Sequence, residues 1–132
     1  MTMRIKYGTK YHNIKTKASD GKIFDSKREE GRYEQLRLME KAGEITDLRL
    51  QVPYELIPNQ YETYERYGKR GQRLKDGVRL LEKKVEYVAD FVYIDIKTGE
   101  EIVEDAKGKR TKEYIIKRKL MLYIHGIKVR EI

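Results

Sequence analysis

Two stretches, Val85-Glu-Tyr-Val-Ala-Asp-Phe-Val-Tyr-Ile-Asp95 and Glu100-Glu-Ile-Val-Glu-Asp-Ala-Lys-Gly108, decide the fold. Both are rich in β-branched and aromatic residues, and Ile96-Lys-Thr-Gly99 between them is a turn signal whose glycine can take positive φ. They read as one β-hairpin. Residues two apart in a strand share a face, so Asp105 and Lys107 point one way and Ala106 the other. A two-residue Lys97-Thr98 loop would set Asp90 directly opposite Asp105 with the side chains close together. A one-residue slip, from a bulge at Gly99 for instance, would turn Asp90 to the other face.

Two carboxylates and an ammonium on one pleated patch suit a divalent metal site. Carboxylate oxygens bind Mg²⁺, which keeps several waters and accepts phosphate oxygens. The ion acidifies a bound water and neutralises charge on the phosphate, and a nearby lysine can orient that water. The order Asp90, hairpin turn, Asp105-Ala-Lys107 resembles the PD-(D/E)xK motif of restriction-like endonucleases, with Ala89 where the motif usually has proline. The plain alternative is a surface hairpin whose charges are only solvated.

Upstream, Lys22-Ile-Phe24 reads as a short strand after an Asp20-Gly21 turn. Ser26 opens a helix running to about Ala42, with Gly43 just past its end. Ser26-Lys-Arg-Glu29 fits a capping box, in which the Glu29 carboxylate bonds back to the cap amide. Helical spacing also puts Glu29 on one stripe with Tyr33 and Leu36, topping the face that packs on the sheet and able to reach a carboxylate cluster as a third acid. Both readings of Glu29 stay open. Glu44–Leu50 alternates as a strand, and Gln51–Ile57 reads as a second short one that Pro53 confines to an edge or a bend.

The bulk composition narrows the class of protein. The chain has 132 residues, enough for one domain with its own core. It has no Cys and two His, which excludes disulfides and argues against a zinc enzyme. The lack of a long apolar run and of a signal-peptide pattern leads to the expectation of a cytoplasmic protein. Lys and Arg number 30 against 22 acids, for a net charge of +8, which favours a polyanionic partner such as nucleic acid.

The cations are not evenly spread. Residues 1–20 carry Arg4, Lys6, Lys10, Lys15 and Lys17 against Asp20, with Tyr7, Tyr11 and His12 between them: a basic arm for a phosphate backbone, or a frayed terminus. A second basic stretch, about 58–84, starts as a loop at Pro58-Asn-Gln-Tyr61. It holds Lys69, Arg70, Arg73 and Lys75 together with Tyr61, Tyr64 and Tyr67. It reads as a flexible hairpin that grips DNA, or as a solvated insertion. After the acid-x-Lys strand, Lys109, Arg110 and Lys112 flank Thr111, an N-cap candidate, and would face incoming phosphates. The helix that follows is expected to bury Ile116, Leu120, Tyr123 and Ile124, with His125 a surface or capping residue. Gly126 ends it, and Ile127–Ile132 alternates as a last strand.

Several blocks together carry a wider resemblance: Lys10-Tyr-His-Asn13, Phe24-Asp-Ser-Lys-Arg-Glu29, Glu40-Lys-Ala-Gly-Glu-Ile45, Leu50-Gln-Val-Pro53, Tyr87–Tyr93, Val103–Gly108 and Thr111-Lys-Glu-Tyr114. The chain is similar to a small phage and prophage family of unknown function with a nuclease-like pattern, over nearly its whole length except about residues 58–84. The resemblance implies a restriction-endonuclease-like α/β fold, a central mixed sheet flanked by helices, similar to Holliday-junction resolvases. It implies metal held by Asp90, Asp105, the carbonyl of Ala106 and Glu29, with Lys107 completing the catalytic set. Gln51 falls in a shared block without a physical role. The resulting expectation is a single domain that is a Mg²⁺-dependent structure-selective DNA endonuclease, Mn²⁺ substituting, acting as a phage Holliday-junction resolvase in DNA recombination. Two coordinated cuts would call for a homodimer. The rivals are a nicking or restriction-type nuclease on duplex DNA and a non-catalytic DNA-binding phage protein.

Overall fold

A computed structural model describes residues 15–107 and 109–132. The basic tract from Arg4 to His12 therefore lies outside the described residues. Thr16–Lys17 (β1) and Ile23–Phe24 (β2) form a small antiparallel ribbon ahead of helix Lys27–Lys41 (α1). Ile45–Ile57 (β3), Gln60–Tyr67 (β4), Arg73–Glu82 (β5), Val85–Asp95 (β6) and Glu101–Asp105 (β7) follow. Lys112–His125 (α2) and Arg130–Glu131 (β8) complete the chain. The central sheet has the order β3-β6-β7-β8; its first three strands are antiparallel and β8 runs parallel to β7 after the α2 crossover. The protein is thus α/β with a mixed sheet and two helices.

Both helices start and stop where the sequence says they should. Ser26 Oγ accepts the Glu29 amide at 3.2 Å and Thr111 Oγ1 accepts the Tyr114 amide at 3.1 Å. Gly126 takes φ 68 to end α2. They cover opposite faces of the sheet. Tyr33 and Leu36 of α1 pack with Ile45, Phe91 and Tyr93; Tyr114 and Met121 of α2 pack with Tyr87, Ala89, Val92 and Val103. The burial expected for α2 is corrected here: Ile116, Tyr123 and Ile124 are exposed, and the face that meets the sheet runs through Tyr114 and Met121. The helix is apolar around much of its circumference, so periodicity alone could not choose the face. His125 is a surface residue, as expected, with its Nε2 2.7 Å from the Glu55 carbonyl of β3.

Three strand expectations also change. β3 is one continuous edge strand, not two, and Pro53 sits within it at the sheet edge, the place where a missing N–H is tolerated. The last strand shrinks to two residues. The stretch after Pro58, read as a loop leading into a hairpin, is strand from Gln60 onward: β4 and β5 form an antiparallel hairpin with two register shifts, closed at its neck by the Lys84 amide donating to Asn59 Oδ1 at 2.7 Å.

Beneath α1 the sheet holds a buried ion pair. Glu104 is fully buried and takes Arg32 Nε at 2.9 Å and Nη2 at 2.7 Å. The Tyr93 hydroxyl also donates to this carboxylate, and burial, then that hydrogen bond and the Glu104 charge, push its phenol up to about 12. Arg32 lies one turn after Glu29, so this bidentate contact fixes α1 against β7 close to the candidate site.

Candidate functional site

The β6–β7 hairpin keeps the register that sequence arithmetic gave it. Phe91 pairs with Glu104, Val92 with Val103 and Tyr93 with Ile102. The ladder ends at the Phe91–Glu104 pair; just beyond it the Ala106 amide reaches Asp90, and the Asp105 charge acts on Asp90. The turn is longer than the expected two residues, with Gly99 at φ 76 and the Asp95 amide bonded to the Glu100 carbonyl at 2.9 Å. The added residues are shared equally by the two sides, so no slip results.

Asp90 also marks a break in side-chain alternation along β6. Tyr87, Ala89 and Val92 pack on the α2 side, while Phe91 and Tyr93 pack on the α1 side. Strict alternation cannot put Ala89 and Val92 on one face. The neighbouring strand is distorted at the same level: Gln51, between the paired Leu50 and Val52, has φ 51. A left-handed glutamine in a strand is a strained position of the kind found at functional sites.

The side chains around this break form a connected set. Gln51 Nε2 donates to Glu29 Oε2 at 3.1 Å and to Asp90 Oδ1 at 3.3 Å, so one amide bridges the helix acid and the strand acid. Asp90 Oδ2 accepts the Ala106 backbone amide at 2.8 Å. Asp105 is buried, and its Oδ2 accepts the Tyr87 hydroxyl at 2.6 Å. Its Oδ1 is buried without a hydrogen-bond donor, although the Lys107 ammonium stands 3.4 Å away as an ion pair. That ammonium also sits over the Tyr114 ring, 4.7 Å from the centroid.

Electrostatics follow from this crowding of acids. Burial, then the Asp90 charge, raises Glu29 to about 7, with Asp25 and Asp105 adding to it and Lys107 opposing. Burial, then Asp105, raises Asp90 to about 6, against the pull of the Ala106 amide, Gln51 and Lys107. Burial and the bond to Asp105 raise the Tyr87 phenol well above its usual range. Such shifts accompany functional carboxylates. A cleft of about 400 Å³ beside the set is lined by Phe24, Asp25, Glu29, Leu50 and Gln51, among others.

The sequence-derived residues are thus placed as follows. Asp90, Asp105 and Lys107 come together. Glu29 joins them through Gln51, and the returning half of the capping box is replaced by that bond. Among the described residues no three acidic or histidine side chains form a group able to hold a metal ion on their own, so a cation here would rely on Asp90, Asp105, backbone oxygen and water. Gln51 is the residue sequence reasoning missed. Its only signal was membership of a shared block, because a positive φ on a glutamine cannot be read from sequence.

Of the expected DNA-contacting cations, Lys69 and Arg70 lie in the turn joining β4 to β5, and Lys75 lies on β5. None of the three makes an ion pair with an acid among the described residues. Arg73 is held by Asp76 at 2.6 Å and stacks over Tyr67. Arg110 pairs with Glu131 at 2.7 Å. Lys109 and Lys112 lie either side of the Thr111 cap. No helix among the described residues is long and apolar enough to cross a membrane.

Residues 5–130 match the model of a family described as a protein of unknown function (DUF1064). The chain belongs to this family. No curated protein and no solved structure matches it. Membership of DUF1064 accounts for the shared blocks but assigns no chemistry, so the functional reading stands on the side chains just described.

Proposed function

We propose that this DUF1064 protein is a divalent-metal-dependent endonuclease of the PD-(D/E)xK type that hydrolyses DNA phosphodiesters, with a branched DNA such as a Holliday junction as its preferred substrate. The observation that carries the reading is the convergence of Asp90, Asp105 and Lys107, with Asp105 Oδ1 buried and met by the Lys107 ammonium but by no hydrogen-bond donor. A buried acceptor short of hydrogen bonds costs about 1–3 kcal/mol; the Lys107 ammonium meets this one at 3.4 Å as an ion pair, and a bound cation would complete its partners. A cation bound there fits Mg²⁺, or Mn²⁺ in its place, held by Asp90, Asp105, the Ala106 carbonyl and water. When bound, such an ion supplies an acidified water and offsets charge on the phosphate.

The chain's own groups supply the rest. Lys107, steered by Asp105 and the Tyr114 ring, presents an ammonium to the attacking water and the phosphate oxygens. Gln51 holds Asp90 and Glu29 in fixed relation. Glu29, pushed to about 7, can take a proton from water near neutral pH. Lys69, Arg70 and Lys75 on the ribbon, and Lys109 and Lys112 at the start of α2, offer charge for the phosphate backbone.

The test compares a four-way junction, a flap, single-stranded DNA and plain duplex in Mg²⁺ and in EDTA. The expected result is cleavage of the junction in Mg²⁺ alone, abolished by Asp105→Ala and by Lys107→Ala while DNA binding persists. Salt-dependent binding without metal-dependent products on any substrate would make the protein a non-catalytic DNA binder. Preferential cutting of plain duplex would make it a nicking or restriction-type nuclease.

A further inference from the structure

The β4–β5 ribbon makes no substantial contact with any other element among the described residues. A lone pair of strands is marginal in water, so what its faces carry matters. Tyr61 pairs with Leu80 and Thr63 with Val78, which puts these four on one face. Tyr61, Val78 and Leu80 are 59%, 64% and 47% exposed. On the other face Arg79 pairs with Glu62 at 2.9 Å and its guanidinium lies 4.8 Å from the Tyr64 ring centroid. Tyr64 in turn lies flat on Gly77, where any Cβ would come within 2.4 Å of the ring. That polar face is occupied by its own paired side chains, and among the described residues nothing covers the apolar face.

Charge decides the occupant. In a chain with 39% charged residues and a net charge of +8, the four facing residues carry none. A face that tracks phosphates would present Lys or Arg, since cations supply nearly all non-specific affinity for nucleic acid. On this ribbon the cations without an acidic partner, Arg66, Lys69, Arg70 and Lys75, lie in its distal half, toward and around the turn. Two copies of this chain each carry a net charge of +8, and an uncharged patch is where they can meet without opposing like charges. An uncharged apolar patch is complementary to itself, as a two-fold interface requires.

We propose that the Tyr61–Thr63–Val78–Leu80 face docks the same face of a second copy, ribbon on ribbon, making the ribbon the dimerisation element and leaving its basic turn free. The proposal does not rest on nuclease activity, and its test uses neither DNA nor metal.

Sedimentation of the full chain across micromolar to submillimolar concentrations reads it directly. The wild type is expected to dimerise, and Val78→Glu and Leu80→Glu each to weaken dimerisation by ~10-fold or more. Lys69→Glu in the turn should leave it unchanged. All three positions are exposed, and unaltered circular dichroism confirms that each variant is folded. Because the chain has no cysteine, Val78→Cys introduces a single thiol. With diamide accepting the two thiol hydrogens, it should form a disulfide-linked dimer that is lost when Leu80→Glu is added. A chain that stays monomeric throughout, or a dimer indifferent to both glutamates, overturns the proposal.

Discussion

The backbone amide of Ala106 donates to Asp90 Oδ2 across 2.8 Å, so the strand that carries Asp105 also orients its partner acid. Because the donor is main chain, the contact does not depend on the Ala106 side chain, and proline at 106 would remove it. It also leaves Asp90 Oδ1 to Gln51 and Asp105 Oδ1 without a donor. The positive group that meets the pair is the Lys107 ammonium, 3.4 Å from Asp105 Oδ1.

This gives a pH dependence with a definite sign. Glu29 and Asp90 are raised from 4.5 and 3.8 to about 7 and about 6, so the folded state holds these protons more tightly than the unfolded chain. Their favourable contribution is complete below the unfolded values and is lost as pH rises through the folded ones. The metal-free protein should melt at a lower temperature at pH 8 than at pH 5, and Mg²⁺ should restore more of the loss at pH 8. Glu29→Gln should flatten the slope. Differential scanning calorimetry checks all three, and a melting temperature independent of pH and Mg²⁺ would count against the acid cluster.

Gln51 combines a strained backbone with a bridging amide, and two variants separate these roles. Gln51→Gly accepts φ 51 freely and should be about 1 kcal/mol more stable than Gln51→Ala, which keeps the strain. Both lose the link between Glu29 and Asp90, so both should lose Mg²⁺-dependent cleavage alike. Urea unfolding beside a cleavage assay reads the two effects separately.

The Arg32–Glu104 pair should be strongly asymmetric to mutation. Glu104→Ala strands a guanidinium that is largely shielded from water and should cost about 3–5 kcal/mol. Replacing both residues together, Arg32→Met with Glu104→Leu, should cost less, because the shielded guanidinium is gone; the Tyr93 hydroxyl loses its acceptor, and Arg130, also 3.9 Å from Glu104, is half exposed to water. Denaturant midpoints of the two single variants and the double variant complete the cycle.

The corrected face of α2 is testable in the same way. Met121→Ala should destabilise by about 2–5 kcal/mol, because the side chain is fully buried. Tyr123→Ala, at a position 87% exposed, should stay within about 0.5 kcal/mol. Equal losses would return α2 to the face that its apolar spacing suggested.

Local chemistry was legible before any coordinates. The Ser26 and Thr111 caps, the stop at Gly126, the β6–β7 register and the meeting of Asp90 with Asp105 and Lys107 all follow from residue types within a few positions of one another. Hydrogen bonds at helix ends and side-chain alternation act over that short range, so the amino-acid order carries them. The mixed α/β class followed from the same periodicities.

Packing between distant segments was not legible. Which side of α2 meets the sheet depends on where Tyr87 and Val103 present their surface, and α2 is apolar enough to have offered more than one answer. That Glu29 serves Gln51 instead of its own cap depends on β3 passing close to α1 with a residue at positive φ. The burial of Glu104 under Arg32 depends on a contact between residues 72 apart in the chain. Each is a choice between locally equal alternatives, and the energy that makes the choice comes from surfaces that meet only once the chain has closed on itself.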